Sequence, residues 1–232
     1  MSQEMNEVKI NVIENIVTWQ GEGKDCGQRM LLLRFKECDR VVNKKPCPWC
    51  DTLVKMRSTV PCQLDLLTIQ QTLKEEKVGL MITGGEPLYD TNFRDTLSLI
   101  NLDYPICNIE TNGYNLDKFL ITASLTKPWR VSFSPKIFDE VDFEFAKNMT
   151  SKILLNKNLD KKVSFKLVAS EDRLMIKYMK LLDSANANHR VFIMPQGKNL
   201  DELRKNAPLA FDMAEKYKFN FSSREHLIYG FI

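Results

Sequence analysis

Residues 79–87 read GLMITGGEP. The apolar run Gly79–Thr83 has the length of a buried strand, and it stops at two glycines, an acid and a proline. That composition marks a turn. Three more apolar runs stop the same way. NIE runs into TNG at Thr111–Gly113, VSF meets SPK at Ser134–Lys136, and VFIM meets PQG at Pro195–Gly197. One such cluster is an ordinary turn. Four of them, each at the end of a strand, describe a rim. In parallel α/β folds ligands bind where the strands end, so the rim is a candidate binding edge.

Working outward from these strands, short apolar runs alternate with amphipathic stretches. Candidate strands are Lys9–Thr18, Met30–Phe35, Gly79–Thr83, Ile106–Glu110, Arg130–Ser134, Val163–Val168 and Arg190–Met194. Candidate helices are Leu64–Lys77, Asn92–Leu102, Asp117–Ala123, Asp172–Ala185 and Leu200–Tyr217. In the helix at Asp172, Leu174, Met175, Tyr178, Met179, Leu181 and Leu182 recur with helical period, which is a core-packing stripe. Strands alternating with helices imply a parallel sheet with right-handed crossovers. About six βα units are too few for a closed eight-stranded barrel. The expected fold is therefore α/β, a single-domain partial (βα)6-type barrel over residues 1–232, with an open parallel sheet and helices outside.

The bulk composition is that of an ordinary globular protein. The chain has 232 residues and a net charge of +3 from 33 basic and 30 acidic side chains, too small an excess to argue for nucleic acid or membrane as partner. The N-terminus MSQEMNEVKINVIEN lacks the apolar core of a signal peptide, and no run approaches the roughly 20 apolar residues that span a bilayer. A cytoplasmic location follows as the expectation, where thiols stay reduced. The six cysteines then read as metal-binding or catalytic where they cluster, rather than as a disulfide framework.

Three of them cluster, in CDRVVNKKPCPWCD over residues 38–51. Cys47-Pro-Trp-Cys50 puts two thiols within one turn, as both zinc and iron–sulfur sites require. A structural zinc site closes with four ligands, yet no second CxxC follows and the two histidines, His189 and His226, lie far along the chain. Cys26 or Cys62 remains open as a fourth ligand. Three cysteines without a clear fourth suit a [4Fe–4S] cluster with one open iron, a site that can chelate S-adenosylmethionine. TGGEP at a strand end lets backbone approach such a ligand, with no Cβ in the way.

With these motifs in place the chain resembles the radical S-adenosylmethionine enzymes, and within them the 7-carboxy-7-deazaguanine synthase family of the 7-deazaguanine (queuosine-type) pathway. The resemblance runs from Trp19 to the C-terminus, through WQGEG (Trp19–Gly23), LLRF followed by Cys38, CPWCDT (Cys47–Thr52), TGGEP, ETNG, SPK, PQG and REHLIYG (Arg224–Gly230). The eight residues between Cys38 and Cys47 exceed what most of that superfamily uses and suit a solvated flap. The resemblance implies a cluster on Cys38, Cys47 and Cys50 in the loop 38–52. It implies S-adenosylmethionine against Trp49, Asp51, Gly85, Glu110, Asn112, Ser134, Pro135, Lys136 and Gln196, and Mg²⁺ on Thr52. Without it, Thr52 reads as a helix N-cap.

For the substrate, the resemblance points to Trp19, Gln20, Gly21, Glu22, Arg34, Thr83, His226 and Ile232. It implies a lyase that converts 6-carboxy-5,6,7,8-tetrahydropterin to 7-carboxy-7-deazaguanine with loss of ammonia. It also implies an electron donor such as flavodoxin or ferredoxin, and a homodimer. A salt bridge within the fold is the other reading of Arg34, since an arginine amid LLLRF is costly to bury unpaired. Two other functions compete: an activase that installs a glycyl radical on a partner protein, and a non-catalytic, zinc-stabilised binding module. The tail 222–232 closes over the substrate in the family reading. Leu227, Ile228, Tyr229, Phe231 and Ile232 make it apolar enough to dock.

Overall fold

The computed structural model describes residues 8–50 and 52–231. Asp51 and Ile232, expected at the cofactor and the substrate, lie outside the described residues. Contacts gather into two compact units, Met1–Gln20 with Gln28–Arg130, and Gly21–Gly27 with Val131–Ile232.

The first unit is built on β2 (Glu14–Trp19), β3 (Arg29–Phe35), β5 (Gly79–Gly84) and β6 (Cys107–Thr111). Their order is β6-β5-β3-β2, parallel except that β2 runs antiparallel to β3 and forms the edge. Leu31, Leu32 and Leu33 are all buried, as are Leu80, Met81 and Ile82. Consecutive strand residues point to opposite faces, so both faces of this sheet are covered, as expected of parallel strands. Among the described residues five helices belong here: α1 (Asp39–Val42), α2 (Leu53–Ser58), α3 (Leu66–Glu76), α4 (Asp90–Leu99) and α5 (Leu116–Thr122). Arg34 stands opposite Glu14 on one side and Thr83 on the other, so these polar residues form one row across three strands.

The second unit carries the C-terminal part of β7 (Trp129–Phe133), then β8 (Val163–Val168), β9 (Val191–Met194) and β10 (Asn220–Phe221), in that order and all parallel. Its helices are α6 (Glu140–Leu155), α7 (Arg173–Ser184), α8 (Leu200–Tyr217) and the short α9 (Glu225–Tyr229). Among the described residues β2 pairs only with β3 in the first unit and β10 only with β9 in the second, so each unit's sheet ends in an open edge, as expected of an open sheet.

The differences from the sequence reading are local. Lys9–Thr18 is two strands, because the chain bends at Ile13 and changes partner. β1 (Lys9–Val12) pairs antiparallel with β4 (Cys62–Asp65), while β2 pairs with β3. The helix expected from Leu64 starts at Leu66, since β4 occupies 62–65 and the Asp65 carboxylate caps the helix by accepting from the Thr68 N–H at 2.7 Å. Helix α6 went unread. It buries Phe143, Ala146, Met149 and Ile153 at helical spacing, and the exposed Val141, Phe145 and Leu155 blur that stripe. Among the described residues no helix is long and apolar enough to cross a membrane.

Candidate functional site

The end of β5 is bound into the chain just before the first cysteine. Gly85 N–H donates to the Phe35 carbonyl at 2.8 Å and Glu86 N–H to the Glu37 carbonyl at 2.7 Å. A Cβ on Gly85 would lie 1.9 Å from the Glu37 carbonyl oxygen. On Gly84, at φ +111°, it would lie 2.3 Å from Arg34 Cγ. Both glycines are therefore demanded by the chain's own backbone, which no reading of the turn composition revealed.

Glu86, which the sequence reading passed over, ties three segments together. It is 1% exposed, and its carboxylate accepts from Leu88 N–H (2.9 Å), the Thr111 hydroxyl (2.6 Å) and Asn112 N–H (2.7 Å). Burial pushes its carboxyl up to about 7, against these three donors. Asn112, expected at the cofactor, donates from Nδ2 to Asp39 Oδ1 at 2.7 Å, next to Cys38. The GGEP and TNG rims are thereby anchored to the start of the cysteine loop.

Cys38 precedes α1, and its carbonyl accepts from the Val41 and Val42 N–H groups at 3.1 and 3.0 Å. Burial, with Asp39 beside it, pushes the thiol up to about 12. Cys50 N–H closes a turn onto the Cys47 carbonyl at 3.1 Å, with half-buried Trp49 between the two thiols. All three cysteines are half-buried and free of disulfides. Three free, half-buried thiols are soft donors of the kind that hold an iron–sulfur cluster. Among the described residues, however, no three His, Cys, Asp or Glu side chains already stand close enough to enclose a metal ion.

Two further groupings lie in the same unit. Gln20 Nε2 donates to Glu110 Oε1 at 3.0 Å and the Thr83 hydroxyl to Glu110 Oε2 at 3.1 Å. One carboxylate thus joins three residues singled out from sequence. Arg34 Nε donates to Glu14 Oε2 at 2.5 Å and its Nη1 to Thr52 Oγ1 at 3.1 Å. Glu14 also pairs with Lys55 at 2.5 Å. The internal salt bridge of Arg34 is real, and it aims the guanidinium at Thr52. Thr52 sits at the N-cap position of α2, but its side chain makes no capping bond. Trp19, at the end of β2, is 48% exposed.

In the second unit the WQGEG loop meets the tail. Glu22 is 8% exposed and accepts from Lys166 Nζ at Oε2 and from Arg224 Nε at Oε1, both at 2.7 Å. His226 Nε2 stands 3.9 Å from the same Oε1. Burial alone would raise this carboxyl, but Lys166, Arg224 and His226 outweigh it and hold the group well below the usual carboxylate range. Gly21 is needed for the approach: a Cβ there would lie 2.5 Å from His226 Nδ1, and its carbonyl accepts from Glu225 N–H at 3.0 Å. Gly23 N–H donates to Ser222 Oγ at 2.7 Å, and Arg224 Nη1 donates to the Gly197 carbonyl of PQG.

The tail therefore docks, but through its polar half. Ile228 is 40% exposed and Tyr229 73%, and α9 buries no residue. Hydrogen bonds from Arg224 to Glu22 and Gly197, from Glu225 N–H to Gly21 and from Gly23 N–H to Ser222 hold it where apolar packing was expected. Elsewhere in this unit, Lys136 Nζ donates to Ser134 Oγ at 2.8 Å, Pro135 is buried, and half-buried Gln196 uses its carbonyl to accept from Asn206.

No known family profile matches the chain. It is 30% identical over 192 residues to a 7-carboxy-7-deazaguanine synthase of Clostridium acetobutylicum, covering 79% of this chain and 80% of that one. A 7-carboxy-7-deazaguanine synthase of Haemophilus influenzae is 29% identical over 126 residues, covering 53% and 54%. The crystal structure of QueE from Escherichia coli superposes with a TM-score of 0.54 at 18% identity, covering 94% of this chain and 95% of that one. Streptococcus suis SuiB bound to the precursor peptide SuiA gives 0.53 at 14%, covering 84% of this chain and 48% of SuiB. At these identities the two structures establish a shared fold.

Proposed function

The chain belongs to the 7-carboxy-7-deazaguanine synthase family of enzymes, and from that premise we propose that it converts 6-carboxy-5,6,7,8-tetrahydropterin to 7-carboxy-7-deazaguanine with loss of ammonia. Cys38, Cys47 and Cys50 are the residues to hold a [4Fe–4S] cluster, and the GGEP and TNG rims the elements to seat S-adenosylmethionine. When bound, these two groups supply the one-electron chemistry that removes hydrogen from C6 of the pterin. The protein's task is to hold that C–H in place and to exclude water and competing hydrogen donors.

The observation that carries the reading is the carboxylate of Glu110. It takes hydrogen bonds from Gln20 and Thr83, residues assigned to the substrate, while Glu110 itself is assigned to the cofactor. Readers of the two ligands thus share one hydrogen-bonded group. Arg34 and Thr52 form the second element. A guanidinium and a hydroxyl 3.1 Å apart suit a substrate carboxylate, with Mg²⁺ on the hydroxyl oxygen. A flavodoxin- or ferredoxin-type electron donor, a homodimer and a cytoplasmic location complete the proposal, on the family resemblance alone.

The test is an anaerobic incubation of reconstituted protein with the tetrahydropterin, S-adenosylmethionine, Mg²⁺ and a reductant, with the product read by mass. Formation of 7-carboxy-7-deazaguanine supports the reading. Protein with full iron content that cleaves S-adenosylmethionine and leaves the pterin unchanged overturns it.

A further inference from the structure

Every residue of VSFKLV in β8 is buried, and the fourth is a lysine. A lysine with 5% exposure is rare in a strand interior unless its charge is answered. Lys166 is answered by Glu22, 144 residues away in the chain, at 2.7 Å. Arg224 takes the other oxygen of the same carboxylate at 2.7 Å. With one cation on each oxygen, the plane and direction of the carboxylate are fixed. A carboxylate held ionised and oriented reads N–H donors, and a carboxylate oxygen accepts more than one hydrogen bond.

We propose that Lys166 is a positioning residue for pterin recognition, acting through Glu22 to present a fixed anionic acceptor to the amide and amino N–H groups of the substrate. This rests on the functional reading above, in which Glu22 touches the substrate, and adds a residue that the sequence motifs did not single out. Lys166 itself touches no ligand in the proposal. Its conversion to methionine keeps the length of the side chain and removes the charge. Glu22 then loses one of its two fixed directions and part of the charge that offsets its burial.

The experiment compares wild type, K166M, K166R, E22Q and the K166M/E22Q double variant. Two readouts are used: the Kd for pterin-6-carboxylate by calorimetry, and kcat and KM in the anaerobic assay. K166M should raise Kd and KM about tenfold or more, as expected when one partner of a buried charge pair is removed. Its kcat should stay within about threefold, and K166R should recover part of the loss. In the E22Q background the same K166M change should add less than about twofold, because a residue that acts through Glu22 has nothing left to act on.

A pH series gives a third readout. Glu22 is faced by Lys166 from β8, Arg224 and His226 from the tail, and Cys26 from its own loop. Because His226 also titrates in this range, the readout is the ratio of K166M to wild-type Kd, which should grow from pH 8 to 6 as the less compensated carboxyl takes up a proton. Unchanged KM in K166M overturns the proposal, and so does a full K166M effect in the E22Q background. So does a loss confined to kcat or to melting temperature. Should K166M fail to fold, the double variant against E22Q supplies the same comparison. Wild type that neither binds nor converts the pterin sinks the functional reading, whereas active wild type with an indifferent Lys166 sinks this inference alone.

Discussion

Replacing Gly85 by alanine puts one methyl group where the backbone of Glu37 already lies. The added Cβ would sit 1.9 Å from the Glu37 carbonyl oxygen and 2.5 Å from its carbon. These are backbone atoms, so no side-chain rotation relieves the overlap. The end of β5 must move away from the segment that leads to Cys38. Two backbone bonds cross that boundary, Gly85 N–H to Phe35 and Glu86 N–H to Glu37. Losing both costs about 2 kcal/mol, and the overpacking itself ~1–3 kcal/mol. For a chain of this size ~3–5 kcal/mol lowers the melting temperature by roughly 10 °C. Because the displaced segment carries Cys38, iron incorporation should fall as well. The assays are thermal unfolding by circular dichroism and iron content after anaerobic reconstitution. Gly27→Ala is the control: its φ is +81° but nothing lies within 4 Å, so it isolates backbone strain of ~1–2 kcal/mol. If Gly85→Ala melted within about 1 °C of wild type and took up full iron, the steric argument would be wrong.

Three further outcomes follow from the geometry. Cys47→Ala or Cys50→Ala should abolish the brown chromophore and the bound iron, whereas Cys62→Ala, at an exposed thiol on β4, should leave both intact; equal losses in the two classes would remove the triad assignment. Glu22 has a carboxyl below its ordinary 4.5, so its stabilising contribution is complete above about pH 5 and is lost as pH falls through the lowered value. Melting temperature should therefore drop more steeply below pH 4 in wild type than in Glu22→Gln, and parallel curves would contradict this. His226→Ala should raise the pterin KM by roughly tenfold, the worth of one enclosed hydrogen bond at ~1–3 kcal/mol. Tyr229→Ala, at a side chain 73% exposed, should stay within about twofold, and the reverse ranking would show that the apolar half of the tail matters more.

The regular elements were legible because each carries its own signal. VSFKLV and Leu200–Tyr217 have the ends read from sequence, since strand burial and helical periodicity are local properties. The rim was legible for the same reason, as glycine, proline and small polar residues punctuate strand ends. What was not legible depends on partners far away in sequence. Lys166 looks like any lysine until Glu22 arrives from 144 residues upstream. Glu86 looks like part of a turn until Thr111 and Asn112 close on it, 25 and 26 residues later. Ile13 has no composition of a break, and the bend there reflects the competing partners β4 and β3. The glycines of GGEP were read as room for a ligand, while the neighbour that needs the room is the carbonyl of Glu37.

The loop Gly21–Gly27 belongs to the unit formed by the last hundred or so residues, and its bonds span sequence separations of 199 and 202. In a growing chain Glu22 of this loop is made 202 residues ahead of Arg224. The carboxylate of Glu22 must therefore wait, without its guanidinium, until that distant partner has emerged. Contacts of such separation carry a large closure entropy and form late, which raises the contact order of the whole unit and slows its folding. Loss of Arg224 would thus leave a segment 202 residues upstream unfinished, with the Glu22 carboxylate held by Lys166 at one oxygen and unguided at the other.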